Sequence, residues 1–271
     1  MRLTSVPAAR LAALGLIAIV AGACARAPIA TPVPTRARVA TYASGEDVVA
    51  AMHDRYAGRW YRTLTFRQKT SRLLANGTWD EQTWYEALEL PGRLRIDFEP
   101  VSAGNGVLYA RDSQFVATNG RLVRAEPGIN DLLLLGFDVY ANPVARTDSL
   151  LRRQGFDLAR FHRDSLEGRS VLVVGANAGE MRRKQFWVDT ERLVFVRLLE
   201  PNPRDSTRVQ DIRFVNYQPR GDAWISPRVE IRDASGKLVF SEDYSDMRTD
   251  VPLDESIFDP TPWRNPKNWV K

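Results

Sequence analysis

Two residue types on which much protein chemistry depends are almost missing. The 271-residue chain has two histidines and one cysteine. A single cysteine excludes a disulfide within the chain and any cysteine-built metal site. With only His53 and His162, there is no His-Glu-x-x-His helix; a Gly-x-Ser-x-Gly elbow and a phosphate loop are missing as well. His53 falls on a helical stretch and is expected at the surface. His162, in Arg160-Phe161-His162-Arg163-Asp164, could pair with Asp164 or Asp157, but lone pairs of this kind are usually surface hydrogen bonds. The pattern gives no catalytic group, metal or cofactor, and an enzyme is not expected. One-signed charge is also lacking. Lys and Arg number 38 against 33 Asp and Glu, and the bases are scattered among the acids. That balance points away from a nucleic-acid partner.

Long apolar runs are lacking too, and the longest is informative. Arg2 and Arg10 precede Leu11 to Val20, and Ala21-Gly22-Ala23-Cys24 follows. This is too short for an ordinary membrane span and has the layout of a secretory signal. A cut near Ala23 would be the ordinary outcome. The only cysteine stands where a bacterial lipoprotein is acylated, although Ala21 occupies a position where Leu is usual. Residues 1–23 are therefore read as a lipoprotein signal peptide and Cys24 as the lipidation site. Residues 24–43, rich in Ala, Pro, Thr and Arg without apolar period, are read as a disordered tether. At ~3 Å per residue it would reach roughly 50 Å. The expected location is the bacterial envelope, on the periplasmic side of the outer or inner membrane.

The folded part is dominated by strand signals. In Arg93-Leu94-Arg95-Ile96-Asp97-Phe98, Leu94, Ile96 and Phe98 share one face and Arg93, Arg95 and Asp97 the other. Period two with one apolar face predicts a half-buried antiparallel strand. The polar set is expected outside, so Arg95→Ala should be mild while Ile96→Asp should cost several kcal/mol. Strands are also predicted over Trp60 to Leu74, Trp79 to Leu90, Gly106 to Arg111, Ser113 to Thr118 and Arg121 to Arg124. Asn76-Gly77 and Asn119-Gly120 mark hairpins. Glu86 is the odd acid, placed between Trp84 and Leu88 on an apolar-leaning face; if buried it needs a partner, for which Arg95 or another basic strand residue is a candidate.

Before this block, Ser44 reads as the N-cap of a helix with the stripe Val48, Val49, Met52 and Tyr56. After it, Ile129 to Tyr140 is a short apolar helix, read either as core or as a lid, and Arg146 to Gln154 is helical up to Gly155. Further strands are predicted at Ser170 to Gly175, Lys184 to Val188, Leu193 to Leu199, Thr207 to Tyr217, Trp224 to Arg232 and Leu238 to Tyr244. Pro227 cannot donate to a ladder, so its strand is expected at an edge or bulged. One domain over 44–260 is expected, with a tail over 261–271.

The order of motifs resembles the LolA/LolB superfamily of bacterial lipoprotein carriers and related periplasmic lipid-binding proteins. The likeness is sharpest at Glu89-Leu90-Pro91-Gly92-Arg93-Leu94-Arg95-Ile96-Asp97-Phe98-Glu99-Pro100. It continues through Val107 to Tyr109, Phe115 to Arg124, Lys184-Gln185-Phe186-Trp187-Val188-Asp189, and Val251-Pro252-Leu253-Asp254 to Phe258-Asp259-Pro260. The resemblance implies a mainly β (α+β) fold: a curved, half-open antiparallel barrel with an N-terminal helix and a helical lid. It implies an apolar ligand cavity, for which Phe66, Trp84, Leu94, Ile96, Phe98 and Tyr109 are the candidates, under a lid of Leu132, Leu133, Leu134 and Leu135. Consecutive leucines cannot all face one way, because successive helical residues are about 100° apart; some should cover the cavity, and at least one should point outward or toward a neighbouring helix. The implied partners are acyl chains or lipoproteins, bound by a monomer anchored through its lipid. One departure is Leu90, which stands where the carrier proper has an Arg that helps hold its lid. The rival readings are an envelope sensor or scaffold that binds a protein partner, and an enzyme built around His162.

Overall fold

The computed structural model describes residues 41–202 and 204–263. The expected signal peptide, Cys24, the tether up to residue 40 and the tail beyond residue 263 lie outside the described residues.

Helix α1 (Gly45–Tyr56) begins where the sequence suggests: the Ser44 hydroxyl accepts from the Asp47 amide, and Val48, Val49, Met52 and Tyr56 are buried. The strands are β1 (Thr63–Leu73), β2 (Trp79–Glu89), β3 (Arg93–Phe98), β4 (Gly106–Ala110), β5 (Ser113–Thr118) and β6 (Arg121–Pro127). Then come α2 (Asp131–Gly136), a 3-10 turn (Asp138–Tyr140) and α3 (Val144–Arg153). The chain returns to strands with β7 (Phe161–Leu166), β8 (Arg169–Val174), β9 (Gln185–Asp189), β10 (Phe195–Asn202), β11 (Asp205–Val215), β12 (Gln218–Arg220), β13 (Ala223–Ile225), β14 (Arg228–Arg232) and β15 (Leu238–Thr249).

Thirteen strands form one antiparallel sheet in the order β6-β5-β4-β3-β2-β1-β15-β14-β11-β10-β9-β8-β7. Its end strands are β6 and β7, so the sheet is not closed. Two meanders, β1 to β6 and β7 to β11, are joined at the centre by β15 pairing with β1 and by β14 pairing with β11. β12 and β13 form a separate two-stranded ribbon. One face of the sheet carries the main core. Residues of α1, α2, the 3-10 turn and α3 pack there with Leu64, Leu88, Leu172, Phe186, Phe195, Leu198 and Phe214. The Tyr140 ring stacks on Trp60 at 3.8 Å, and its hydroxyl accepts from the Phe195 amide at 3.1 Å.

Three expectations need correction. The strand expected across Pro227 is two strands: the chain breaks at Ser226-Pro227, and β14 begins at Arg228. β14 is interior, between β11 and β15, so neither edge nor bulge is needed to accommodate the missing N–H. The sequence predicts no strand between Gly155 and Ser170, yet Phe161 to Leu166 forms the edge strand β7. Its alternation is masked by charged residues on an exposed edge. The third correction is Arg95 and Asp97, expected in solvent. They are 0% and 1% exposed, because the C-terminal segment crosses the outer face of β3 and β4. Trp263, placed in a tail by the sequence, packs there with Ala87, Leu108, Ile257 and Phe258. Gly106 makes room for it: a Cβ at that position would lie 2.7 Å from the indole.

Candidate functional site

The inner face of β1 to β4, together with β11, β15 and α2, borders a concave pocket of about 260 Å³. Phe66, Trp84, Leu94, Ile96, Phe98 and Tyr109 all line it. Pairing explains how these residues converge. Trp84 is in register with Phe98, Leu88 with Leu94, and Leu94 with Tyr109, so side chains two apart on each strand meet on one surface. Trp84 and Phe98 pack with ring centroids 4.9 Å apart. The wall is completed by Leu88, Val107, Phe137, Phe214, Tyr244 and two carboxylates, Glu86 and Glu242. Sequence reasoning missed Phe214, Tyr244 and Glu242. They come from β11 and β15, which are remote in sequence and reach the cavity only through the central strand order.

The four leucines of α2 divide their roles. Leu132 and Leu133 face the cavity. Leu134 lines a small recess of about 60 Å³ with Leu133, Pro91, Asn142 and Leu150, and so points toward the neighbouring helix α3. Leu135 is fully buried in the core. None of the four is exposed, since Leu132 is half-buried and the other three are buried. Asn130 caps the helix by accepting from the Leu132 and Leu133 amides at 2.9 and 3.0 Å. Asp131 fastens it to the sheet through Lys184 at 2.5 Å and accepts from Gln154 at 2.8 Å. Gly136 lets the helix end lie against Phe214, where a Cβ would come within 2.7 Å of the ring. The 3-10 turn is tied to the Pro91-Gly92 corner: the Gly92 amide donates to Asp138 at 2.8 Å. Burial pushes the Asp138 carboxyl up to about 7, against the Gly92 bond and the nearby Arg146 charge.

Glu86 does not meet Arg95. In the β2–β3 register Arg95 is opposite Ala87 and points to the outer face, whereas Glu86 is opposite Ile96 and points inward. The charged group nearest in effect is another acid. Glu242 stands on β15, on the far side of β1, and accepts from the Tyr244 hydroxyl at 2.6 Å. The Tyr244 ring stacks on Phe66 at 4.2 Å. Burial, and then the Glu242 charge, hold the Glu86 carboxyl well above the usual carboxylate range. Burial likewise raises Glu242, opposed by Tyr244 and Gln68.

On the opposite face of the same strands, Arg95 binds Asp97 through Nε at 2.7 Å and Nη2 at 3.0 Å. Its Nη1 donates to the Ile257 carbonyl at 2.8 Å. Trp263 covers the pair: its indole N–H donates to Asp97 at 3.2 Å, and its ring lies 4.2 Å from the guanidinium. Burial raises the Asp97 carboxyl, and Arg95 opposes that rise. His162 lies on the edge strand β7, where Nδ1 is 3.0 Å from the Ala176 carbonyl and Nε2 is 3.7 Å from Asp164. Asp157 instead pairs with Arg160. Neither His162 nor Asp164 lines the cavity. Among the described residues no group of three or more His, Cys, Asp or Glu is placed to hold a metal, and no helix is long and apolar enough to cross a membrane.

No protein-family model and no curated protein sequence matches this chain. Solved structures do match its fold. A DUF1329 family protein from Desulfovibrio piger superposes with a TM-score of 0.54 at 15% identity, covering 81% of this chain and 98% of its own. A candidate outer membrane lipoprotein-sorting protein domain from Vibrio parahaemolyticus gives 0.54 at 14% identity, covering 81% and 97%. The chain shares the fold of these two structures, a large antiparallel sheet that is not closed, with few helices. A LolA superfamily protein from Nitrosomonas europaea aligns over 78% of this chain and 96% of its own, with a TM-score of 0.49 and 14% identity. At these identities the likeness is one of fold, and the cavity has to be read from its own residues.

Proposed function

We propose that this protein is an envelope binding and transfer protein for acylated ligands, held to a membrane through Cys24 and acting without catalysis. The observation that supports the reading is the inward-facing cavity of about 260 Å³, lined by rings and aliphatic side chains from six strands and bordered by Leu132 and Leu133. Small-molecule pockets are concave and mostly apolar, with a few polar groups that orient the ligand. This cavity has that make-up, and it is a little smaller than the usual range of roughly 300–1,000 Å³. It therefore suits one narrow chain better than a bulky ring system. Each methylene moved from water into such a site contributes about 0.8 kcal/mol, so a short length of chain supplies substantial affinity. The LolA-like fold supports the same reading.

Mass spectrometry of lipids co-purifying with the full chain, together with titration of a neutral fluorescent acyl ester, tests the proposal. Saturable binding that is lost when Ile96 is replaced by Asp in a protein that still folds is the expected result. Absence of both co-purifying lipid and saturable binding would overturn it and leave the envelope scaffold as the better reading. The anchor is tested separately: Cys24→Ala should move the protein from the membrane fraction to the soluble one. A wild-type protein that fractionates as soluble would remove the anchor from the proposal.

A further inference from the structure

An apolar cavity for acyl chains has no need of carboxylates, yet this one has two. Glu86 is 6% exposed and lines the cavity. Among the described residues no hydrogen-bond donor and no base reaches its carboxyl. The other acids of the cavity wall, α2 and the 3-10 turn are partnered: Asp131 by Lys184 and Gln154, Asp138 by the Gly92 amide. Glu242 has the Tyr244 hydroxyl. The cavity lining contains no Lys, Arg or His, so nothing there offsets negative charge. The remaining polar groups at the wall are Tyr109 and Asn130, and the acceptor side of each is engaged. Tyr109 accepts from Gln114 at 2.5 Å, and Asn130 Oδ1 is used in capping α2. Behind the wall, Gln68 is fully buried and its Oε1 has no partner, while its Nε2 donates to Thr70 at 2.8 Å. The inner end of the site thus holds acceptors, Glu86 on the wall and Gln68 Oε1 behind it, that no protein donor reaches.

Buried polar groups are costly when unpaired, and a site with an unpaired acceptor selects ligands that bring the missing donor. A ligand carboxylate would give up hydration there with no base to offset its charge, beside two acids that burial already drives toward the protonated form. We propose that Glu86 is a ligand-recognition residue, and that the cavity takes an alkyl or acyl chain whose polar end carries an N–H donor and no negative charge, in preference to a free fatty-acid anion. The inference rests on the acyl-binding reading and names the ligand class of that same cavity. An N-acylated lipid or peptide and an amino lipid both present this chemistry.

Three probes of equal chain length, N-decylacetamide, decylamine and decanoate, separate the cases when each displaces the neutral fluorescent ester from the full chain at pH 7. The amide stands for N-acylated ligands and the amine for amino lipids. At least one of the two is expected to bind tenfold or more tightly than decanoate, and the tighter names the source. Glu86→Gln, which keeps the shape and adds a donor, should bring decanoate to within threefold of the amide while leaving binding of the neutral ester and the melting temperature near wild type. Glu242→Gln should narrow the gap in the same direction by a smaller factor. Decanoate binding within threefold of both other probes in the wild type would overturn the inference while leaving the acyl-binding reading in place. So would a preference unchanged in a folded Glu86→Gln protein. If the neutral ester itself does not bind, the acyl-binding reading fails first and the ligand class fails with it. Should Glu86→Gln not fold, the wild-type ranking and Glu242→Gln still decide.

Discussion

Both faces of β3 are shielded from water, by opposite means. Inward, Leu94, Ile96 and Phe98 border a cavity that side chains do not fill. Outward, Arg95 and Asp97 form a close-packed ion pair beneath Trp263, with a backbone carbonyl satisfying the remaining guanidinium edge. The apolar face is the loosely packed one, and the charged face is the tightly packed one. Alternation along a strand therefore tells which residues share a side, but not how either side is covered. A polar face reads as solvent only when nothing later in the chain folds back over it. Here the segment around Ile257, Phe258 and Trp263 does so. On the acyl-binding proposal, the under-packed inner face is the room a ligand would take, while the outer face is closed by the packed pair and Trp263.

The comparison can be broken most severely at the ion pair. Asp97→Ala leaves the Arg95 guanidinium buried without its carboxylate, and should cost about 3–5 kcal/mol. Denaturant unfolding measures it, and a loss below about 1 kcal/mol would mean that the outer face opens easily to water. Trp263→Ala removes the cover and should cost about 3 kcal/mol. In a double-mutant cycle with Asp97→Ala the two losses should add to more than the double variant shows, because both act on the same buried group. Losses that simply add would separate the strap from the pair. On the inner face Ile96→Ala should cost only about 2 kcal/mol, the low end for such truncations, because its side chain already borders empty space. It should weaken ester binding more than stability, and the reverse ranking would mean that the cavity is core rather than site.

The smallest effect is a pH dependence at the corner where the lid region meets the sheet. The Asp138 carboxyl is raised from 3.8 to about 7 when folded, so the folded chain binds this proton more tightly than the unfolded one. Its contribution to stability therefore falls as pH rises through that window and is least favourable above it. Asp138→Asn keeps an acceptor for the Gly92 amide and removes the charge. It should stabilise by about 1–2 kcal/mol at pH 8, less than the full burial penalty because the charge in the Gly92 bond is given up, and by little near pH 4. Equal effects at both pH values would show that Asp138 is not the titrating group.

Much of the architecture can be read from local pattern. The N-cap at Ser44, the hairpin at Asn76-Gly77 and the bounds of β3 and β5 follow from capping chemistry, turn conformation and period-two alternation, all of which act over a few residues. The same alternation brought Phe66, Trp84, Leu94, Ile96, Phe98 and Tyr109 to one surface, because strands joined by short hairpins pair with their neighbours in register. Helix α2 was legible as a short apolar helix, but the division of its leucines between cavity, recess and core depends on where α3 and Phe214 lie. The strand at Phe161 to Leu166 was hidden by its charged edge residues, and the break before β14 by a period that runs on through Pro227.

The sequence by itself determined most of the strands and helices and which of their side chains share a face, since these follow from interactions a few residues long. Only the tertiary structure decided which distant strands lie beside one another. The pairing of β15 with β1 carries Glu242 and Tyr244 to Glu86, and the return of residues 257–263 turns Arg95 and Asp97 from a surface pair into a buried one. Both contacts span more than 150 residues, and burial and electrostatics are properties of what surrounds a group in space, which no local period records.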